Sequence, residues 1–308
     1  MEYYLLTVGE EQTRIGALEW MMDWTPGGLS GDVEDRRATS GGGGFGGGGL
    51  GIVGLLVLVV ISLVTGRNYI GAYLAGGGTV ASPSADRPIE SAAEDRSAQL
   101  VSWTLDDVQK TWTVLLPEQT GQQYRHAKLV LFRDYTQSGC GVAQSQTGPF
   151  YCPEDEKVYI DLSFWDELSQ LGGSTADFAQ AYVIAHELGH HVQNILGIED
   201  KVQQLSGQNP AQRNPLSVDL ELQADCLAGV WAHSTEQRKV VDDADIANGL
   251  QAAAAVGDDH IQKMERGSVS PESFTHGSSA ERIGWFKRGL AQGTIAGCNT
   301  FSAGPDAY

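Results

Sequence analysis

The sequence predicts an α+β domain, with a small early sheet and a helical remainder, preceded by one transmembrane helix. Two apolar strand candidates, Lys128–Phe132 and Lys157–Asp161, come first, and segments of helical periodicity follow with little further strand signal. Upstream of both stands an uncharged apolar run, Leu50–Val64.

Taken in order, residues 1–49 read as a flexible tail. They hold the charged patch Asp32-Val33-Glu34-Asp35-Arg36-Arg37 and then glycines at 41–44 and 46–49 around Phe45. Residues 50–65 read as a membrane-spanning helix, because no charge interrupts the chain from Ala38 to Gly66 and a run of this length can cross a bilayer. A buried core helix seldom has so continuous an apolar circumference, and a cleaved leader seldom begins fifty residues into a chain. Arg36 and Arg37 precede the run and Arg67 alone follows it, a bias that expects a cytoplasmic tail and an extracytoplasmic domain on a single-pass anchor in the cell membrane. Residues 66–100, rich in Gly, Ser, Ala and Pro, read as a juxtamembrane linker, and residues 101–308 as the folded domain. That domain opens with a helix over Leu105–Leu116, which Pro117 is expected to end.

A formal charge of −19 argues against nucleic acid as a partner, since phosphate attracts lysine and arginine. Four cysteines, all beyond residue 139, suit two disulfides in an oxidising compartment. Four thiols allow three pairings. Cys140 with Cys152 is preferred because Gly141, Gly148 and Pro149 lie between them as in a loop that a disulfide closes, and Cys226 is then left for Cys298. A zinc ribbon is disfavoured by the absence of any C-x-x-C spacing.

The strongest chemical signal is His186-Glu187-Leu188-Gly189-His190, an H-E-x-x-H pattern on a segment whose Ile184, Leu188, Val192 and Ile195 recur at helical spacing. Residues four apart share a helix face, so His186 and His190 can direct imidazole nitrogens at one zinc ion. Glu187 is placed to take a proton from water activated by that ion and to pass it to a leaving amine. For a third ligand, Leu220-Glu221-Leu222-Gln223-Ala224-Asp225 offers two carboxylates one turn apart on another helix, backed by the apolar stripe Leu220, Ala224, Leu227 and Trp231. Glu221 is assigned as the ligand, and Asp225 as acceptor for the second ring N–H of a zinc histidine. The bland reading of the pair is a solvated helix face. His191, about 100° around the helix from His190, is expected to point away from the ion, towards the residues behind the ligands or to solvent.

Farther on, Thr275-His276-Gly277-Ser278-Ser279-Ala280-Glu281-Arg282 surrounds a helix start with Ser278 or Ser279 as cap. His276 is the candidate donor to the oxyanion of peptide hydrolysis, with Arg282 assisting or forming a structural ion pair. An edge strand around Tyr159 is a candidate to bind an extended substrate backbone.

These motifs together resemble the neutral zinc metallopeptidases of the YpfJ type found in bacteria. The resemblance covers nearly all of the chain from about residue 32. It includes Val33-Glu34-Asp35-Arg36-Arg37 with the glycines and apolar span, Cys140-Gly141-Val142-Ala143-Gln144-Ser145, Gly148-Pro149-Phe150-Tyr151-Cys152-Pro153, Val158–Leu162, the His186 motif, Glu221–Cys226 and Phe274–Gly277. The H-E-x-x-H plus E-x-x-x-D arrangement is also similar to the gluzincins, which implies Glu221 as third ligand. In the HtpX-like membrane proteases of that group, a downstream His and Arg pair resembles His276 and Arg282. The resulting expectation is a zincin-like domain, held to a membrane, that hydrolyses peptide bonds in a peptide or protein substrate with one zinc ion. Its rivals are a non-hydrolytic zinc-stabilised envelope protein that binds partners, and hydrolysis of a non-peptide amide.

Overall fold

The computed structural model describes residues 22–38 and 92–301. The described chain is a mixed α+β body with its sheet early and helices dominating the rest. In order, its strands are β1 (Val33–Asp35), β2 (Lys128–Phe132), β3 (Tyr135–Ser138), β4 (Gly141–Gln144), β5 (Phe150–Cys152) and β6 (Lys157–Asp161). The helices are α1 (Ala92–Thr120), α2 (Phe164–Gln170), α3 (Asp177–Ile195), α4 (Ile198–Gln208), α5 (Arg213–Gln237), α6 (Asp243–Ala255), α7 (Asp258–Arg266) and α8 (Ser279–Gln292).

The main sheet has the order β1-β2-β6-β5, with β1, β2 and β6 parallel and β5 antiparallel to β6. Period-two alternation sorts its side chains. Leu129, Leu131, Val158 and Ile160 face the large helical core, whereas Val130, Phe132 and Tyr159 pack with Ala143 and Cys152 on the other side. The hairpin β3-β4 lies apart as a two-stranded ribbon. Its turn is tied to β5 by the Cys140–Cys152 disulfide, and Cys226–Cys298 ties α5 to the C-terminal turn. The pairing that the spacing favours is the one present.

Several expectations change. Tyr159 is not on an edge: β6 is flanked by β2 and β5, so the outer strands of the sheet are β1 and β5. The first long helix begins at Ala92, within the expected linker, and passes Pro117 to end at Thr120. Proline gives up the i→i−4 bond that its missing N–H would make, so the last turn runs with one hydrogen bond fewer. The helix then closes where the Gly121 N–H donates to the Pro117 carbonyl at 3.0 Å, with Gly121 at a φ of 77°.

The tail reading of residues 1–49 also fails for residues 22–38. Met22 is buried in the core, and the Trp24 indole donates to Asp177 at 2.7 Å while Arg96 lies over its ring. Asp32 accepts from Lys128 at 2.6 Å, and Val33–Asp35 pairs with Leu129–Leu131. The sequence around Val33 is too polar to announce a strand, because both of its neighbours in charge, Glu34 and Asp35, are neutralised by partners distant in sequence or by Arg37. No described helix is long and apolar enough to cross a membrane, and the Leu50–Val64 run lies outside the described residues.

Helix α3 runs through the centre, against α1, α5, α6 and the sheet. The expected amphipathic helix is in fact buried on nearly all sides from Asp177 to Gln193. Its crossing with α5 is close: a Cβ at Gly189 would stand 3.0 Å from the Ala224 carbonyl oxygen. The α5–α8 crossing is closer still. A Cβ at Gly289 would fall 1.9 Å from the Cys226 carbonyl oxygen, and one at Gly229 would fall 2.1 Å from that of Phe286. Helix propensity alone favours alanine over glycine by about 1 kcal/mol. Here the contact wins, so Gly289→Ala is expected to destabilise the protein by about 1–3 kcal/mol through forced separation of the two helices. Thermal unfolding checks the sign, and a stabilised variant would contradict the packing.

Candidate metal centre

The centre forms where α3, α5 and α8 meet. One face of α3 carries His186 and His190, four residues apart, and the facing turn of α5 carries Glu221. The three offer ligand atoms that all lie within 4.8 Å of one another. His186 Nε2 is 3.1 Å from Glu221 Oε2, and His190 Nε2 is 3.6 Å from Glu221 Oε1. A tetrahedral zinc site with bonds of about 2.0–2.1 Å separates its ligands by roughly 3.3 Å, so these spacings fit zinc. Two imidazoles and one carboxylate also make a three-ligand set, which leaves a coordination position for water or substrate.

Each imidazole is fixed from behind. His186 Nδ1 is 2.9 Å from Asp225 Oδ1, as the i, i+4 relation of Glu221 and Asp225 suggests. Asp225 is fully buried and accepts three more bonds: from Tyr182 Oη at 2.5 Å, Arg282 Nε at 2.8 Å and an Arg282 terminal nitrogen at 3.0 Å. Burial opposes its ionisation, but the Arg282 charge and the His186 contact outweigh it and hold the Asp225 pKa at about 2. Arg282 is therefore the partner of a buried carboxylate, with only 4 % of its surface exposed. Its helix start is the capping box formed by Ser278 and Glu281, and Ser279 instead donates to the Ala254 carbonyl and Asp259.

His190 is held by a residue that sequence reasoning missed. Its Nδ1 lies 2.8 Å from Gln193 Oε1, and the Gln193 amide donates to the Leu220 carbonyl at 2.7 Å and to Gln223 at 3.1 Å. Gln223 in turn donates to the Cys298 carbonyl, next to the α5 disulfide. The only hint in the sequence is a polar residue three places after His190 on an apolar helix. Tyr182, four residues before His186, was likewise missed.

Burial pulls the His186 imidazole towards neutrality, yet the charge and hydrogen bond of Asp225, with Glu221, raise its pKa to about 10. Metal binding therefore has to displace a proton there. Glu187, beside the ligands and 7 % exposed, is pushed up by burial more than the two imidazoles pull it down. Among the described residues nothing hydrogen-bonds its carboxylate. His191 is neither a ligand nor solvent-facing: it is fully buried, with Nδ1 2.9 Å from Tyr151 Oη and Nε2 2.7 Å from the Arg125 carbonyl. Among the described residues no hydrogen bond or ion pair joins His276 to His186, His190 or Glu221, although the Glu221 charge acts on it. It sits on the loop before α8, where Asp258 accepts from its backbone N–H at 2.6 Å and lies 3.3 Å from its Nδ1.

The family profile described as "Putative neutral zinc metallopeptidase" matches residues 22–301. The chain belongs to this family. Among its relatives, the Escherichia coli (strain K12) protein named "Uncharacterized protein YpfJ" is 48% identical over 288 residues, covering 91% of this chain and 99% of its own. Rv2575 of Mycobacterium tuberculosis (strain ATCC 25618 / H37Rv) is 44% identical over 211 residues, covering 65% of this chain and 69% of its own. No solved structure matches this chain. The family match begins at residue 22, ahead of the residue 32 at which the sequence motifs first resemble the family.

Proposed function

We propose that the protein is a zinc-dependent peptidase, most specifically an endopeptidase, with one zinc ion held by His186, His190 and Glu221. The observation that carries this reading is a buried carboxylate, Glu187, without a hydrogen-bond partner among the described residues, directly beside a three-ligand set of two imidazoles and a carboxylate. A purely structural zinc site would close its fourth position with protein. The ion, when bound, supplies Lewis-acid chemistry that lowers the pKa of water towards neutrality.

The chain's own residues do the rest. Asp225 and Gln193 orient the two imidazoles through their Nδ1 atoms, leaving each Nε2 for metal. Glu187 accepts the proton of the attacking water, and returns it to the amine as the peptide bond breaks. Its raised pKa moves it closer to the range in which accepting and returning a proton are both easy. His276 is the donor assigned to the developing oxyanion: its hydrogen bond to Asp258 raises its pKa and favours the cationic, donating form. An extended substrate backbone pairs with β5 rather than β6, since β6 has both sides occupied.

The test is metal dependence. The purified protein is expected to carry one equivalent of zinc and to cleave an unstructured protein such as casein. Chelation is expected to abolish cleavage, and one equivalent of zinc to restore it. Zinc without any cleavage would favour the non-hydrolytic binding protein, and cleavage that survives complete zinc removal would overturn the site.

A further inference from the structure

The two metal-site imidazoles are held by different chemistry. Behind His186 stands an ion pair, Asp225 with Arg282. Behind His190 stands a chain of neutral amides. His190 Nδ1 is 2.8 Å from Gln193 Oε1, the Gln193 amide nitrogen is 3.1 Å from Gln223 Oε1, and the Gln223 amide nitrogen is 3.0 Å from the Cys298 carbonyl oxygen. Gln193 and Cys298 are fully buried and Gln223 is 4 % exposed, so bulk water cannot replace a lost partner.

A carboxylate accepts through both of its oxygens, but an amide has a direction. Its oxygen accepts and its nitrogen donates, and the two ends are so alike in size that the shape of a pocket does not choose between them. For His190 the choice matters. With the Gln193 oxygen at Nδ1, the ring carries its proton there and leaves the Nε2 lone pair for metal. With the Gln193 nitrogen at Nδ1, a neutral ring would have to accept there and carry its proton on Nε2, the atom that stands 3.6 Å from Glu221 Oε1 in the ligand set. That proton would have to leave before metal could bind.

The direction is settled at the far end of the chain, because a backbone carbonyl can only accept. The Cys298 carbonyl takes the Gln223 nitrogen, which turns the Gln223 oxygen towards Gln193. That oxygen takes the Gln193 nitrogen and so turns the Gln193 oxygen towards His190. The Leu220 carbonyl, 2.7 Å from the same Gln193 nitrogen, acts in the same sense. The Cys298 carbonyl is itself held in place. Cys298 is bonded to Cys226 on α5, the adjacent Gly297 carbonyl accepts from Arg288 Nε of α8 at 2.6 Å, and the Thr300 hydroxyl donates to the Asp219 carbonyl of α5 at 2.6 Å.

We infer that Gln223, which among the described residues hydrogen-bonds to none of the three ligands, is a positioning residue of the metal centre. It carries the polarity of the Cys298 carbonyl through Gln193 to His190 and so keeps Nε2 free for metal. The inference rests on the His186, His190 and Glu221 zinc site and not on what that site hydrolyses.

The experiment measures the zinc affinity of the full chain by competition with a chromophoric chelator at neutral pH, for wild type, Gln193→Met, Gln223→Met and the double variant. Methionine keeps the length of glutamine and removes the amide. Gln193→Met takes away the partner of His190 and is expected to weaken zinc binding by about 10–100-fold. Gln223→Met is expected to weaken it by about 3–10-fold, the worth of one buried hydrogen bond, because the Leu220 carbonyl still orients Gln193. The double variant is expected to bind zinc as Gln193→Met does, since Gln223 has no route to the metal once residue 193 is cut out. A loss through general loosening of the fold would instead add to that of Gln193→Met, and this result would overturn the inference. So would an unchanged zinc affinity in Gln223→Met. Thermal unfolding of the zinc-free proteins shows that each variant folds, and Gln193→Leu cuts the chain at the same place if the methionine variant does not. A wild type that takes up no zinc would overturn the metal centre and this inference with it, whereas the other two adverse results leave the centre standing.

Discussion

Glu187→Gln is expected to lower the rate of casein cleavage by about 10²–10⁴-fold, the range for loss of a positioned general base, while zinc content stays at one equivalent. Glutamine keeps the size of the side chain and removes only its ability to take a proton. Glu187 is not among the three grouped ligand residues, so metal binding has no reason to fail. It is also buried without a hydrogen-bond partner among the described residues, so the substitution breaks no bond that the fold relies on. Zinc analysis and initial rates on the same preparations separate the two effects. Loss of zinc together with activity would mean that Glu187 holds the site together rather than working in it, and a rate within about tenfold of wild type would remove it from the proton-transfer role.

How much of this centre is legible in the sequence depends on how local its parts are. His186, Glu187 and His190 lie within one turn and a half of a helix, and Glu221 and Asp225 within one turn of another, so spacing alone places each set on a face. What spacing cannot show is which residues meet across helices. The sequence leaves Arg282 open between assisting catalysis and a structural ion pair, and only the packing of α8 on α5 puts its guanidinium on Asp225. Gln193 carries no motif at all, since a glutamine becomes a histidine partner only where burial removes water as the alternative. The sheet divides in the same way. β2 and β6 are apolar enough to announce themselves, with the bounds that the periodicity predicts. β1 is charged and short, and it is a strand because Leu129–Leu131 offers it an edge and because Lys157 and Arg37 neutralise its carboxylates. Local propensity argues against it, and tertiary context overrides that.

Arg282→Ala is expected to cost about 3–5 kcal/mol of stability, the range for removing one partner of a buried ion pair, or roughly 2–4 °C in Tm for each kcal/mol in a domain of this size. Asp225 has no exposed surface, and Arg282 supplies two of the four contacts at its carboxylate. Truncation strands a charge that Tyr182 and His186 alone must satisfy. The sign with pH follows from Asp225. Its pKa of about 2 lies below the ordinary 3.8, so the contribution is complete above about pH 4 and is lost as the pH falls through about 2. In the variant burial acts on Asp225 without the Arg282 charge to oppose it, so its pKa rises, and the gap between wild type and variant should be widest at neutral pH, narrow as the pH falls through that raised value and close below about pH 2. Adding Asp225→Ala to the variant removes the stranded charge, and is expected to recover part of the loss in stability while weakening zinc binding by about 10–100-fold, because His186 then loses the group that orients it. Denaturant unfolding of the two single variants and the double variant makes this a thermodynamic cycle. An Arg282→Ala protein as stable as wild type, with its zinc intact and its hydrolysis gone, would assign Arg282 to the substrate instead of to Asp225.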